Sequence, residues 1–227
     1  MLLYGAGALC LAMPGFASPM QTGTVYSLTP IYKVGQELKY KTAMTMDGQM
    51  AMQMAFNIDE KTTKVYPDGS ADMSINLIGM TMTMNGQTMS PPAPPEMTVH
   101  VSKYGATSGA AAKINMAGNI GAMINEGLGK GISVGQSVKI DNTDPKSKTH
   151  VYGTVTCDGV KDGLINISED LKIQLKGNSG TPMHVVGTES VDQVTHVLQH
   201  VKSTMTHVQG PQGMTFSKIT TTMDIVK

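Results

Sequence analysis

Methionine is the residue whose number and spacing most invite chemistry. Eleven of the 20 methionines lie between Met44 and Met97, many of them as Met-x-Met. A thioether is a soft donor that selects Cu(I) or Ag(I). Residues two apart on a strand point to the same side with Cα atoms roughly 7 Å apart, within reach of flexible Met arms. Met44, Met46, Met50, Met52 and Met54 are therefore a candidate Cu(I)/Ag(I) set. Alternation by itself explains the spacing equally well, as a flexible apolar residue filling one face of a sheet while Thr, Gln and Asn cover the other. That reading comes first, so no metal site is the leading expectation. An uncovered Met face would suit a lipid, a peptide or another apolar ligand, because such surfaces adapt to varied partners. On that basis Tyr40, Met44, Met46, Met50, Met52, Met54 and Phe56 are the candidate ligand-binding residues.

The remaining reactive side chains point to little. His196 and His200 have the spacing of a helical metal pair, but Val191, Val194, Val197 and Val201 make the segment a strand, where the two imidazoles stand roughly 13 Å apart. His207, with Met205 and Met214 near the last turn, is ordinary at a strand end. There is no G-x-S-x-G, H-E-x-x-H, S-x-x-K or P-loop signature, and Gly127-Leu128-Gly129-Lys130-Gly131 is too short for a nucleotide loop. No catalytic residue and no cofactor is expected, and the chain is read as a non-enzyme. Asp59-Glu60 and Glu169-Asp170 read as solvated carboxylates at strand ends. Cys10 lies in the apolar N-terminal run, and Cys157 is expected to be a small buried group. Asn166-Ile167-Ser168 is a glycosylation sequon only in a eukaryotic secretory setting.

Charge is balanced at 17 acidic and 17 basic residues, and every basic residue is Lys. Without an Arg fork, with no Trp and only three Phe, nucleic acid is not an expected partner.

The elements that position these residues are strands. From Gln36 onward β-branched residues and Met alternate with polar ones. A three-residue loop Asp47-Gly48-Gln49 would pair Met46 with Met50, Met44 with Met52, Tyr40 with Phe56 and Leu38 with Ile58, giving one sulfur-rich face. Pro67-Asp68-Gly69 predicts a turn, Ser70 to Met84 a strand, and Asn85-Gly86 a type I′ hairpin, before Pro91, Pro92, Pro94 and Pro95 stop the sheet. Met97 to Tyr104 resumes the alternation. Ala110 to Leu128 changes to helical spacing, with Ile114, Ala117, Gly121, Ile124 and Leu128 on one side. Further strands are predicted at Val134–Ile140, Val151–Cys157, Gly163–Ile167, Leu171–Leu175, Met183–Val186, Val191–Val208 and Met214–Val226.

Two echoes suggest a duplicated plan. Met44-Thr45-Met46-Asp47-Gly48-Gln49 returns as Met82-Thr83-Met84-Asn85-Gly86-Gln87, and Val34-Gly35-Gln36 with Lys39 returns as Val134-Gly135-Gln136 with Lys139. The expected fold class is all-β: a large curved antiparallel sheet or half-open barrel with one short helical insertion. Residues 1–17 read as a signal peptide with the mature chain starting at Ser18, 18–33 as an N-terminal extension, 34–104 as a first β half, 105–133 as a Gly/Ala-rich helical insertion, and 134–227 as a second β half of the same domain. No transmembrane span is expected once the signal is removed, and the location is periplasmic or extracellular.

Val34-Gly35-Gln36, the hairpin from Met44 to Met54 and the closing Thr221, Met223 and Ile225 resemble secreted bacterial β-sheet proteins with Met/Thr-rich hairpins. In architecture the chain is similar to periplasmic lipoprotein-carrier and lipid-binding folds, in which a curved antiparallel sheet holds an apolar ligand beside a helix or lid. The resemblance implies an exported, non-enzymatic cell-envelope protein binding an apolar small molecule or lipid on the Met-rich face, with 110–128 as cover. The alternatives are Cu(I) handling by the Met-x-Met hairpin and a structural or interaction protein.

Overall fold

The alternation written in the sequence appears as alternating burial. A computed structural model describes residues 23–49, 51–108, 116–129, 131–145, 147–175, 180–209 and 215–226. The elements are β1 (Val25–Tyr26), β2 (Glu37–Gly48), β3 (Met52–Val65), β4 (Ala71–Met84), β5 (Gln87–Met89), β6 (Met97–Val101), α1 (Met116–Leu128), β7 (Ile132–Ser133), β8 (Ser137–Thr143), β9 (His150–Lys161), β10 (Leu164–Gln174), β11 (Met183–Asp192), β12 (Leu198–Gln209) and β13 (Thr215–Ile225). In β2 the even-numbered Tyr40 and Thr42 are buried and Leu38, Met44 and Met46 half-buried, while the odd positions are exposed. In β10 the odd positions from Ile165 to Ile173 are all buried. Side chains two apart share a face, so each pattern gives its strand one dry side.

Eleven of these strands form one antiparallel sheet in the order β5-β4-β3-β2-β13-β12-β11-β10-β9-β8, with β6 also on β4. The last strand thus pairs with the first long one, joining the two halves. The sheet is open: β8 forms one edge, β5 and β6 the other, and the all-β expectation holds with an open sheet rather than a closed barrel. β1 and β7 pair as a separate two-stranded ribbon.

Several expected boundaries move. Gly163–Ile167 and Leu171–Leu175 are one strand, because Ser168, Glu169 and Asp170 are laddered on both sides by β9 and β11. Val191–Val208 is instead two strands: Asp192 accepts hydrogen bonds from the backbone of Val194 and Thr195, forming a turn that carries His196 in a left-handed conformation. β8 begins only at Ser137, since Val134 and Gly135 belong to a turn. The helix covers 116–128 of the region read as helical, and Ile114 lies outside the described residues.

The Val-Gly-Gln echo is structural. Gly35 N–H donates to Thr62 O (2.8 Å), and Thr62 N–H to Gln36 O (2.9 Å). Gly135 N–H donates to Cys157 O (2.7 Å), and Cys157 N–H to Gln136 O (3.0 Å). Each glutamine's Oε1 accepts from the backbone N–H three residues earlier, at Lys33 and Ser133. Both glycines have positive φ, 81° and 76°, which favours glycine there. The Met-Thr-Met echo is different: Asn85-Gly86 makes a two-residue hairpin with both φ positive, as expected, whereas Asp47-Gly48 remains in the ladder with β13.

That ladder corrects the register of the first hairpin. Gly48 pairs with Phe216 and Asp47 with Lys218, so neither is free to turn. The observed pairs are Met46 with Met52, Met44 with Met54, Tyr40 with Ile58 and Leu38 with Glu60, two residues from the expected pairing. A shift of two preserves the face, so the sulfur-rich side survives the correction.

The core lies on the inner side of the sheet. Met123, Ile124 and Leu128 of α1, with Leu28 and Ile132, cover β8 to β11 around Val151, Val155, Ile165, Ile167 and Leu171. A smaller cluster of Met73, Val99 and Val101 packs with Tyr32, Ile75 and Met97 at the β4–β6 edge. Cys157 is fully buried in the main core, as expected, and burial raises its thiol pKa.

Candidate functional site

The inner face of β2 to β5 carries the methionines, at the opposite end of β4 from the Met73 cluster. Cross-strand partners occupy the same face, so the register sets out rows. Met44, Met54, Met82 and Met89 form one row across β2, β3, β4 and β5. Met46, Met52 and Met84 form the next, continued by Ile219 on β13 and Met205 on β12. Thr42, Phe56 and Met223 lie one row toward the core. Met44, Met46, Met52, Met54, Met82 and Met84 are all half-buried, whereas Met73 and Met183 in the clusters are 7% and 4% exposed. Among the described residues the contacts of α1 go to β8 and β9 and not to the strands of this field, where the helical insertion was expected as cover.

The structure thus brings together Tyr40, Met44, Met46, Met52, Met54 and Phe56. Met50 lies outside the described residues, as does Met214. Tyr40 belongs less to the field than to the floor: it is 5% exposed, and its phenol is raised by burial and then by Glu60. Sequence reading stopped at the first hairpin and missed Met82, Met84 and Met89, which only pairing with β4 and β5 adds to the rows.

Inward-facing carboxyls were also missed. Glu60 and Glu169 sit mid-strand on the dry face, not at solvated strand ends. Glu60 shares its face with Met54, Phe56 and Ile58, and burial pushes its pKa up to about 7. Tyr32 beside it is raised by burial and by Glu60. Glu169 and Glu189 form a second acidic spot on β10 and β11, both raised by burial, Glu169 also by its neighbour. Glu169 lies over Gly187, its Oε2 3.7 Å from where a Cβ would stand. The signal was available: Glu60 and Glu169 are in phase with the apolar positions of their own strands. The strand lysines Lys39, Lys41, Lys61, Lys139, Lys172 and Lys202 occupy the opposite, exposed parity. No ion pair among the described residues involves Glu60, Glu169 or Glu189.

A groove of about 600 Å³ opens at the strand ends beyond the Met46 row, lined by Gly48, Phe216, Val208, His207 and Thr181. A smaller one, about 180 Å³, lies on the outer face over Ala43, Thr45, Gln53, Ala55, Thr81 and Thr83.

The histidines are on the outer face or in turns. His100 pairs with Asp72 (2.8 Å), His150 with Asp141 (2.7 Å), His184 with Asp170 (2.7 Å) and His200 with Asp224 (2.6 Å). Tyr66 Oη also donates to Asp72, and together with His100 holds that carboxyl below its usual range. These exposed pairs contribute little to stability. His196 lies in a turn, correcting its strand assignment, with Nδ1 2.7 Å from Thr29 O, and shares no partner with His200. No group of three His, Cys, Asp or Glu among the described residues is placed to hold a metal.

No protein-family model matches the chain, and no curated protein matches it. Among solved structures, one of lipovitellin, reported for its lipid–protein interactions, aligns over 86% of this chain at 8% identity and a TM-score of 0.46. The chain spans 25% of that protein's length. No described helix is long and apolar enough to cross a membrane.

Proposed function

We propose that this chain is an exported, non-enzymatic binding protein of the cell envelope that holds an apolar, lipid-like molecule on the inner face, over Met44, Met46, Met52, Met54, Met82 and Met84. The observation that carries the reading is the half-exposed Met field, which continues the core surface without the helix that covers β8 to β11. Thioether arms are flexible and polarizable, so such a field adapts to chains of different shape. The groove at Phe216 and Val208 continues it toward solvent. Glu60, with its pKa near 7, is largely neutral below that pH and adds little charge beside an apolar ligand. Export rests on the apolar run of residues 2–17, which lies outside the described residues.

Native mass spectrometry of the chain recovered from its own envelope, with titration of a fluorescent fatty acid, tests this. A stoichiometric apolar adduct and saturable probe binding are expected, weakened at least about tenfold by Met54→Glu with Met82→Glu, since burying a charge against an apolar ligand costs more than 1.4 kcal/mol. Thr45→Glu on the outer face should leave binding intact. A bare mass with no saturable binding would sink the proposal.

A further inference from the structure

The cross-strand register does more than expose an apolar surface: it arranges thioethers as a grid. Met44, Met54 and Met82 are consecutive direct partners on three adjacent strands, and Met46, Met52 and Met84 are consecutive direct partners one row on. Directly opposed side chains start with their Cβ atoms about 4.5–5.5 Å apart and rows are about 7 Å apart, a separation that flexible three-bond arms can bridge toward a common point. Met89 extends the first row and is 45% exposed, which leaves an approach from the β5 edge.

The donor set is also selective. Within the two rows every inward side chain of β2, β3 and β4 is a thioether. Carboxylates and the paired imidazoles lie elsewhere: Glu60 is beyond Phe56 and Ile58 on β3, and the paired histidines are on the other face, while His207 lines the groove beyond the Met46 row. Neutral sulfur donors on a half-buried apolar surface suit a soft monovalent ion, whereas a divalent ion with stronger hydration finds no charged donor within the rows, the neighbouring oxygens being neutral hydroxyls such as that of Thr221 opposite Met44.

We propose that this grid is a Cu(I)/Ag(I) site, with Met44, Met54 and Met82 as the central ligands and Met46, Met52 and Met84 completing the coordination. The proposal goes beyond apolar-ligand binding and stands on the same surface, so the two uses compete.

The test is anaerobic titration of the full chain with Ag(I), and with Cu(I) held by a competing chelator, followed by native mass spectrometry and the methyl resonances of ¹³C-methionine. Uptake of a defined number of ions is expected, with methyl shifts at Met44, Met54 and Met82 and none at the buried Met73 and Met183. Replacing Met44, Met54 and Met82 together by Leu keeps side-chain volume close to native and should lower Ag(I) and Cu(I) affinity at least about tenfold, with an unchanged far-ultraviolet circular dichroism spectrum as the check that the sheet still folds. A Cys157→Ser background removes the thiol in the described core as a rival ligand. Absence of uptake, uptake unchanged in the triple Leu variant, or equal uptake of Zn(II) would each overturn the site. Loss of fatty-acid binding in the native chain with Ag(I) uptake intact would instead count against the apolar-ligand reading alone.

Discussion

Glu60 shows how a single inward carboxyl makes stability depend on pH. Its pKa rises on folding from 4.5 to about 7 through burial, so between those values the native state binds more protons than the unfolded chain. Glu60's contribution to stability is therefore greatest below pH 4.5 and declines as pH rises through 7, by on the order of 3 kcal/mol at about 1.4 kcal/mol per pKa unit. Thermal melting from pH 5 to pH 8 should show this fall, and Glu60→Gln should reduce it while the part due to Glu169 and Glu189 remains; a profile unchanged in the variant would show that Glu60 is solvated. Thr42 gives a complementary case. Its Oγ1 is the buried side-chain polar atom among the described residues without a hydrogen-bond partner. An unsatisfied buried hydroxyl costs about 1–3 kcal/mol, so Thr42→Val, of similar shape, should raise the urea midpoint rather than lower it. Both residues were legible by parity, since each sits in phase with the apolar positions of its strand. Their environment was not, because it is set by the strands across from them.

Among the elements, the first hairpin was decided by a strand more than 160 residues away in sequence. A Cβ on Gly48 would stand 2.5 Å from the carbonyl oxygen of Thr215 on β13, so the glycine serves a close backbone approach and not the tight turn its Asp-Gly context suggests. Gly48→Val should lower stability by roughly 1–3 kcal/mol through overpacking. A neutral result in denaturant unfolding would remove β13 as the cause of the register. The Val-Gly-Gln turns behave oppositely: local and repeated, they are visible in the sequence as an echo, although the alternation there predicts strand at Val134 and Gly135. Gly35→Ala and Gly135→Ala should each cost roughly 1–2 kcal/mol for a left-handed alanine, and similarly to each other, because the two turns share their hydrogen bonds.

At the scale of the molecule, one sheet carries two unequal cores, and the Met field lies on β2 to β5, away from the strands that α1 contacts. Val151, Val155, Cys157, Ile165 and Leu171 are fully buried, whereas β5 is exposed along its length. Local opening costs least where apolar contacts are few. Amide hydrogen exchange should accordingly be slowest in β9 and β10 and fastest in β5. A bound apolar molecule should slow exchange in β3 and β4 more than in β9; uniform slowing would place the ligand elsewhere.

Strand content, the inward parity of the long strands, the Asn85-Gly86 hairpin, the Val-Gly-Gln repeat and the burial of Cys157 were all legible in the sequence alone, because they follow from period two and from local sequence. Tertiary structure decided the rest. Pairing of β13 with β2 moved the Met register by two, pairing of β3 with β4 brought Met82 and Met84 beside Met52 and Met54, and the described contacts of α1 went to β8 and β9 and not to the Met field. Alternation says which side a residue faces. Which residues stand opposite it, and what covers them, depends on contacts between strands distant in sequence, which no local pattern encodes.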